Sequence, residues 1–246
     1  MARQIPQDRF SALVEAGTAI FVAQGYRRTQ MQDVADALGV SKGTVYAAVA
    51  SKEALLNACV RFADGLETPP DASSWPLPTP GSHDLVDLVT ARLSEVSDLA
   101  LHQVEDVLSG SASEEFELIL TDLIRRLARH RHAIKLVDRC AAEIPDLAQL
   151  WFGAGRAGLV DQLRDHLDRR AAQGLLWPSE VPGDSDVVAR TIVETCVMWS
   201  VHLRWDPAPS AFRTDRSDDD LARILSRLFA RGIVIDPPPD QAPDPR

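Results

Sequence analysis

Residues 29–53, TQMQDVADALGVSKGTVYAAVASKE, constrain the fold of this chain more than any other stretch. Met31, Val34, Ala35 and Leu38 recur at the spacing of one helical face, and Gly39 then permits a tight turn. A second, shorter helix follows directly. Two short helices joined by a glycine-containing turn predict a helix-turn-helix, whose second helix enters the major groove of DNA.

The second helix of this motif has the right shape for a groove about 12 Å wide. We expect Ser41 to cap its N-terminus and Val45 and Val49, one helical turn apart, to face the core. Small side chains keep the rest of the helix slim, at Gly43, Thr44, Ala47 and Ala48.

Several polar residues around this helix can contact DNA. Lys42 would lie at the groove entrance, and Lys52 would lie near a flanking phosphate. Tyr46 can offer its hydroxyl to a phosphate or its ring edge to a thymine methyl. Thr29 is predicted to cap the first helix of the motif, whose N-terminal N–H groups can bind a phosphate. The predicted DNA-binding residues are Arg28, Thr29, Gln30, Gln32, Ser41, Lys42, Gly43, Thr44, Tyr46, Ala47 and Lys52.

Two further helices flank the motif. The first is predicted from Asp8 to Gln24, with Gly25 placed for a left-handed C-terminal cap. Ser51 is predicted to cap a fourth helix, with Glu53 favourably placed in its first turn. The buried face of that helix is formed by Leu55, Leu56, Cys59, Phe62 and Leu66.

The rest of the chain also has helical periodicity, with no convincing period-2 strand and no βαβ alternation. One long helix is predicted to begin at Pro145 and to end at Gly174. The residues SGSAS at 109–113 are predicted to form a turn. The sequence therefore predicts an all-α protein. The expected helices cover about 84–108, 114–129, 131–143, 146–173, 184–204 and 217–231.

Proline marks the domain boundaries. Residues 68–82 contain five prolines and cannot form a helix interior, which predicts a linker. The proline-rich, charged end of the chain is expected to be disordered. We therefore predict a helix-turn-helix domain at 1–66, a linker at 67–82, a regulatory domain at 83–235 and a tail at 236–246.

Charge is distributed unevenly along a chain whose net charge is -10. Residues 1–52 contain six basic and four acidic residues, whereas the remainder contains 20 basic and 32 acidic residues. This asymmetry suits a DNA-facing end on an acidic body. The three cysteines are widely spaced, so we expect small buried side chains rather than disulfides. The first residues, MARQIPQDRF, lack the apolar core of a secretory signal, which predicts a cytoplasmic location.

The N-terminal pattern resembles the DNA-binding domain of the TetR (tetracycline repressor-like) family. The resemblance covers about residues 8–62, and its motif positions read Phe21, Gly25, Thr29, Val34-Ala35, Leu38-Gly39-Val40-Ser41, Gly43, Tyr46, Val49, Lys52-Glu53 and Leu55. It implies a larger helical domain that binds a small effector and forms a homodimer through about 184–231. It also implies a repressor that binds a palindromic operator and is released by its effector.

The sequence departs from the family pattern at two places. Val49 replaces a usual aromatic residue, and Ala47 and Ala48 replace bulkier groups, so few side chains remain to read bases. The remaining candidates are Gln32, Lys42, Thr44 and Tyr46. The second departure is the proline-rich segment 68–82, which lengthens the connection after the fourth helix.

The resemblance also implies an effector cavity in the regulatory domain, lined by apolar and aromatic groups. The candidate lining residues are His102, Cys140, Trp151, Phe152, Cys196 and Trp199, for each of which ordinary core packing is the alternative. No spacing motif for a metal or a cofactor is present. The small residues of GAGRAG, 153–158, lie in a predicted helix and favour close helix packing rather than dinucleotide binding. Asp138, Glu143 and Glu194 are expected to face solvent.

Two apolar faces near the C-terminus favour dimerisation, with burial inside the chain as the alternative. They comprise Val188, Ile192, Val193, Cys196, Trp199 and Leu203, and Leu221, Ile224, Leu225, Leu228 and Phe229. Two other functions stay open. One is a DNA-binding dimer without an effector, and the other is a helical enzyme or carrier. The enzyme would need a convergent polar site, and the sequence provides none. We therefore expect no enzymatic activity.

Overall fold

The computed structural model describes residues 7–97, 112–176, 184–205 and 216–233, and it confirms the all-α prediction within them. The helices are α1 (Gln7–Gln24), α2 (Met31–Leu38), α3 (Lys42–Tyr46), α4 (Lys52–Phe62), α5 (Asp84–Ser97), α6 (Ala112–Arg129), α7 (Arg131–Cys140), α8 (Pro145–Ala148), α9 (Arg156–Ala172), α10 (Asp184–Ser200) and α11 (Asp218–Ile233). No strand forms among these residues, and one isolated bridge pairs Val49 with Leu77.

The N-terminal helices begin and end largely where the capping residues predict. Gly25 has φ +86° and its N–H bonds to the Phe21 carbonyl, so the left-handed cap is confirmed. The Ser41 and Ser51 hydroxyls accept hydrogen bonds from the N–H groups three residues on. Thr29 was the wrong choice of cap for α2. Gln30 holds that position, because the Thr29 hydroxyl donates instead to the Gly25 carbonyl at 2.7 Å.

The predicted long helix from 146 to 173 contains a break in its regularity. Pro145 opens α8 and Gly174 ends α9 at φ +75°, as predicted, but residues Gln149–Gly155 form a π-helical stretch between them. A Cβ on Gly155 would lie 2.6 Å from Leu93 Cδ1, so this glycine does allow close helix packing. The predicted turn at 109–113 is wrong at 112–113, where α6 has begun, and its other residues lie outside the described ranges.

The chain divides into two compact units. The first comprises Met1–Glu95 and Arg129–Arg156, and the second comprises Val96–Ala128 and Ala157–Arg246. In the first unit, α1 packs against α2, α4 and α7, and α4 also packs against α7. Helix α7 thus belongs to the same unit as the helix-turn-helix. The domain boundaries drawn from the sequence, including the tail at 236–246 that lies outside the described residues, stay a prediction.

The proline-rich segment packs on the helix-turn-helix. Trp75 stacks on Phe10 with ring centroids 5.4 Å apart. The Leu77 N–H donates to the Ala48 carbonyl, and the Leu77 carbonyl accepts from the Ala50 N–H, both at 2.8 Å. These backbone bonds attach Leu77 to the residues that directly follow α3. The proline-rich segment is therefore anchored at its middle.

The second unit has its own core, built around α6 and α9. For the apolar face of α10, where dimerisation and burial inside the chain were both open, Ile192, Val193 and Cys196 are buried within the chain. A buried ion pair also joins the two central helices: the Glu115 carboxylate, 8% exposed, accepts from Arg170 Nε at 3.1 Å and from Nη2 at 2.5 Å. The core side chains of α6 and α9 are Phe116, Ile119, Leu120, Leu123, Ile124, Leu127, Leu159, Val160, Leu163 and Leu167.

The three cysteines, Cys59, Cys140 and Cys196, are buried and unpaired as disulfides, as expected. Burial raises the pKa of each thiol to about 12. Within the described part of the chain, no helix combines the length and apolarity needed to cross a membrane.

Candidate nucleic-acid interface

Helix α3 presents one face to the core and the other to solvent. Val45 is 2% exposed and Val49 is fully buried, which confirms that these two residues anchor the helix. Lys42, Gly43, Tyr46 and Ala47 are exposed on the opposite side, so a slim outer face is available to a DNA groove. Ala48 was expected on this face, but it is 2% exposed and packs inward.

Two polar residues on the outer face lie close together. Lys42 Nζ lies 5.9 Å from the centroid of the Tyr46 ring, and that tyrosine is 40% exposed. The hydroxyls of Ser41 and Thr44 bond to each other at 2.9 Å, beside the start of the helix. These four side chains form the polar edge of the candidate interface.

The N-terminus of α2 forms the second part of the interface. Arg28, Gln30 and Gln32 are exposed there, and Gln32 Nε2 donates to Asp36 Oδ1 at 2.7 Å. Thr29 is only 1% exposed, so its hydroxyl faces the interior. A phosphate at the N-terminus of α2 would therefore be bound by the backbone N–H groups of the helix and the exposed side chains beside them, and not by the Thr29 hydroxyl.

Lys52 joins α4 to the turn between α1 and α2. Its Nζ donates to the carbonyls of Tyr26 at 3.0 Å and Thr29 at 3.2 Å, and it lies 4.5 Å from the centroid of the Tyr26 ring. An ammonium group has three N–H donors, so these two bonds leave one donor for a phosphate. The side chain thus serves the interior of the domain as well as its surface.

The same turn is tied to α4 by a second contact. The Tyr26 hydroxyl donates to Glu53 Oε1 at 2.6 Å. Burial and this hydrogen bond raise the pKa of Tyr26, and the hydrogen bond lowers the pKa of Glu53. Together with the Lys52 bonds, this contact fixes the turn against the N-terminus of α4.

Glu143 was expected to face solvent, and its side chain is 21% exposed. Its carboxylate is also held by two hydrogen bonds: Oε2 accepts from the Arg27 N–H at 2.5 Å, and Oε1 accepts from Arg139 Nη1 at 3.1 Å. Asp138 also has an interior partner, because it accepts from the Trp151 indole N–H at 3.1 Å. The Arg139–Glu143 pair is local in sequence, whereas the bonds of Glu143 to Arg27 and of Asp138 to Trp151 are set by the fold.

A hollow of about 300 Å³ lies along the flank of α3 that faces α1. Arg9 and Thr44 contribute its charged and hydroxyl groups, so the structure brings an α1 arginine beside the candidate interface, which the sequence did not predict. Its other lining residues are Ala12, Leu13, Leu38, Val40, Val45 and Ala48.

The predicted effector residues are distributed over both units. Cys140, Trp151 and Phe152 belong to the first unit, where Phe152 is 50% exposed and the other two are buried. Cys196, which is buried, and Trp199, which is partly buried, belong to the second unit. His102 lies outside the described residues. Among the residues that are described, no cluster of three or more His, Cys, Asp or Glu side chains is arranged to hold a metal ion.

An all-α chain with a capped helix-turn-helix and an exposed, slim second helix defines a DNA-binding transcriptional regulator. The family model for bacterial regulatory proteins of the tetR family matches residues 13–59. The matched residues include α2 and α3, the two helices of the helix-turn-helix.

Similar proteins extend the comparison beyond the DNA-binding helices. The HTH-type transcriptional repressor KstR2 of Mycolicibacterium smegmatis is 26% identical over 202 residues, which cover 81% of this chain and 80% of that protein. The structure of the ketosteroid transcriptional regulator KstR2 of Mycobacterium tuberculosis aligns with a TM-score of 0.57 at 18% identity, covering 96% of this chain and all of the other. A tetR-family regulatory protein from Rhodococcus RHA1 aligns with a TM-score of 0.51 at 17% identity, over 92% of this chain and 98% of that one. These structural likenesses establish a shared fold.

Proposed function

We propose that this protein is a dimeric transcriptional repressor that binds a palindromic operator and leaves it when a small-molecule effector binds. The observation that carries this proposal is the exposed outer face of α3, which is held in place by the buried Val45 and Val49. In a two-fold symmetric dimer, two copies of this face would enter successive major grooves, which requires a palindromic site.

The DNA contacts divide into phosphate contacts and base contacts. Arg28, Gln30 and the N-terminal N–H groups of α2 would bind one phosphate, with Thr29 supporting them from the interior. Ser41 and the third donor of Lys52 would bind others. Lys42, at the groove entrance, would bind a further phosphate. Gly43, Thr44, Tyr46 and Ala47 would line the groove, with Gln32 at its edge. Because this surface has few long side chains, DNA shape should contribute to specificity.

An exposed apolar strip supports dimerisation through residues 184–231. Val187 and Met198 on α10 are 66% and 47% exposed, and Ile224 and Leu228 on α11 are 42% and 62% exposed. The two helices pack against each other within the second unit. A second copy would cover this strip, since large apolar side chains concentrated on neighbouring helices are characteristic of interfaces.

The candidate effector residues are Cys140, Trp151 and Phe152 in the first unit and Cys196 and Trp199 in the second, together with His102, which lies outside the described residues. The effector would bind the conformation that does not bind DNA more tightly, and so would release the operator by linkage. Because the Mycobacterium tuberculosis relative is described as a ketosteroid transcriptional regulator, a ketosteroid is the first effector to test.

Selection from a random duplex library tests the operator proposal. The purified chain should enrich an inverted repeat, and Tyr46→Ala should weaken binding to the enriched sequence. If the full chain enriches no duplex, the proposal is wrong. Adding a ketosteroid to the complex should release the DNA, and failure to do so would reject this effector class.

Sedimentation tests the proposed dimer. Leu228→Glu should shift the protein to a monomer at micromolar concentration, because a buried charge in an apolar interface lacks a partner. Phe152→Glu is the matched control, since this residue is comparably exposed but belongs to the other unit. A wild-type monomer would refute dimerisation, and an unchanged dimer for Leu228→Glu would exclude the proposed face.

A further inference from the structure

We propose that Glu143 is a positioning residue for DNA binding, acting through the turn between α1 and α2. The inference rests on the proposed DNA-binding function and adds a residue that touches no DNA. Helix α7 and the 3₁₀ turn Ala141–Glu143 after it are bonded at one end to Asp64, which follows α4, and at the other to the turn that precedes α2. Glu143 forms the second of these attachments.

The first attachment lies at the N-terminus of α7. Asp64, which follows α4, accepts from the His132 N–H at 2.8 Å and from the Ala133 N–H at 3.0 Å. Its side chain is 4% exposed and also lies 2.9 Å from His132 Nδ1. The carboxylate thus satisfies first-turn N–H groups that have no partner within the helix, and its charge is favourable at this helix end.

The second attachment lies after the C-terminus of α7. Glu143 bridges Arg139 and the Arg27 N–H, so its carboxylate joins the end of α7 to the α1–α2 turn. The Arg27 N–H lowers the pKa of Glu143, which keeps the carboxylate charged and its hydrogen bonds strong. A Cβ on Gly25 would collide with both side chains of the bridge, so the turn and the bridge fit closely.

The turn held by Glu143 leads directly into the DNA-binding surface. It is bonded to α4 through Lys52 and Glu53, and it ends at Gln30, the N-cap of α2. A hydrogen bond to a phosphate needs a donor–acceptor distance near 2.9 Å, so a small displacement of this turn would misplace the N–H groups of α2. Glu143 therefore sets the position of phosphate donors without contacting the phosphate.

Operator binding by Glu143 variants tests this role, with the sequence enriched from the random library as the probe. Glu143→Ala should weaken binding by about tenfold, the change expected when a hydrogen bond worth about 1.4 kcal/mol is lost. Glu143→Gln should restore most of the affinity, because an amide oxygen can still accept from the Arg27 N–H. Glu67→Ala is the matched control, since this carboxylate belongs to the same unit but pairs with Arg92 and Arg61.

Two readouts separate positioning from direct contact and from general stability. The salt dependence of binding by Glu143→Ala should keep its slope, because no phosphate contact is removed. Amide exchange at Arg27 should become faster in Glu143→Ala and stay slow in Glu143→Gln. If Glu143→Ala does not fold, Glu143→Asp replaces it, since its shorter side chain keeps the charge but not the reach.

The affinity and the salt slope of the Glu143 variants decide the inference. Wild-type affinity in Glu143→Ala, or in Glu143→Asp if that variant is used, would overturn the inference. A flattened salt slope would also overturn it, because it would indicate a contact with the DNA charge. Failure of the wild-type chain to bind any duplex would instead refute the proposed function.

Discussion

The carboxylate of Glu143 accepts a hydrogen bond from the backbone N–H of Arg27, 116 residues earlier in the chain, at 2.5 Å. This bond joins the end of α7 to the turn that precedes α2. Both residues belong to the first compact unit, which contains the DNA-binding helices and extends to Arg156.

Gly25→Ala should destabilise the protein more than Gly39→Ala. Both glycines have positive φ, +86° and +63°, so an alanine at either position incurs a backbone cost of roughly 1 kcal/mol. Only at Gly25 would the added Cβ collide with Glu143 and Arg139, whereas nothing lies within 4 Å at Gly39. Urea unfolding measures the difference in stability between the two variants. Equal midpoints would show that the turn at Gly25 tolerates the added methyl group.

Lys42→Ala should flatten the salt dependence of operator binding. Removing one phosphate contact changes the slope of log K against log salt by about 0.9, or about 1.8 for both protomers of a dimer. Arg61→Gln is the control, because Arg61 pairs with Glu67 at 3.3 Å. Titrations at several salt concentrations give the slopes. A slope equal to that of the wild type would mean that Lys42 contacts no phosphate.

Arg170→Met should destabilise the second unit by about 3 kcal/mol, because it leaves the buried Glu115 carboxylate without its cation. Arg164→Met is the matched control. Arg164 contacts Asp161, Asp165 and Asp186, whose side chains are 52–60% exposed, so its loss should cost much less stability than the loss of Arg170. Denaturant unfolding followed by circular dichroism compares the two variants. Similar losses for both would contradict the assignment of Glu115 as the buried partner.

His130→Gln should reduce the loss of stability between pH 7.5 and pH 5.5. The His130 ring is 3% exposed, and burial lowers its pKa below the ordinary value near 6.5. The nearby Glu95 and Asp64 raise this pKa and Arg92 and Arg129 lower it, but burial has the largest effect. The unfolded chain therefore binds a proton first as the pH falls, and stability declines below about pH 6.5. Glutamine cannot titrate in this range.

Urea midpoints at the two pH values measure this effect. The drop in the free energy of unfolding from pH 7.5 to pH 5.5 should be larger for the wild type than for His130→Gln. An equal drop in both proteins would show that His130 does not contribute to the acid sensitivity of the fold.

The sequence by itself determined the elements that depend on local chemistry. Gly25, Ser41 and Ser51 end or begin helices because φ above zero and side-chain capping are decided within a few residues. The spacing of Val45 and Val49 likewise predicted which side of α3 is buried. These local signals were sufficient for the helix-turn-helix and for the resemblance of residues 13–59 to the tetR family.

The tertiary structure decided what depends on contacts between distant residues. Threonine is a common N-cap residue, but the Thr29 hydroxyl donates to the Gly25 carbonyl, because Lys52 at the start of α4 and Glu143 after α7 fix the turn before α2. The apolar face of α10 could have been an interface, yet Ile192 and Cys196 are buried by the chain itself. The bond between Glu143 and the Arg27 N–H has no local sign in the sequence, since the two residues lie 116 positions apart. A periodic pattern shows that a face must be covered, but only the packed chain determines what covers it.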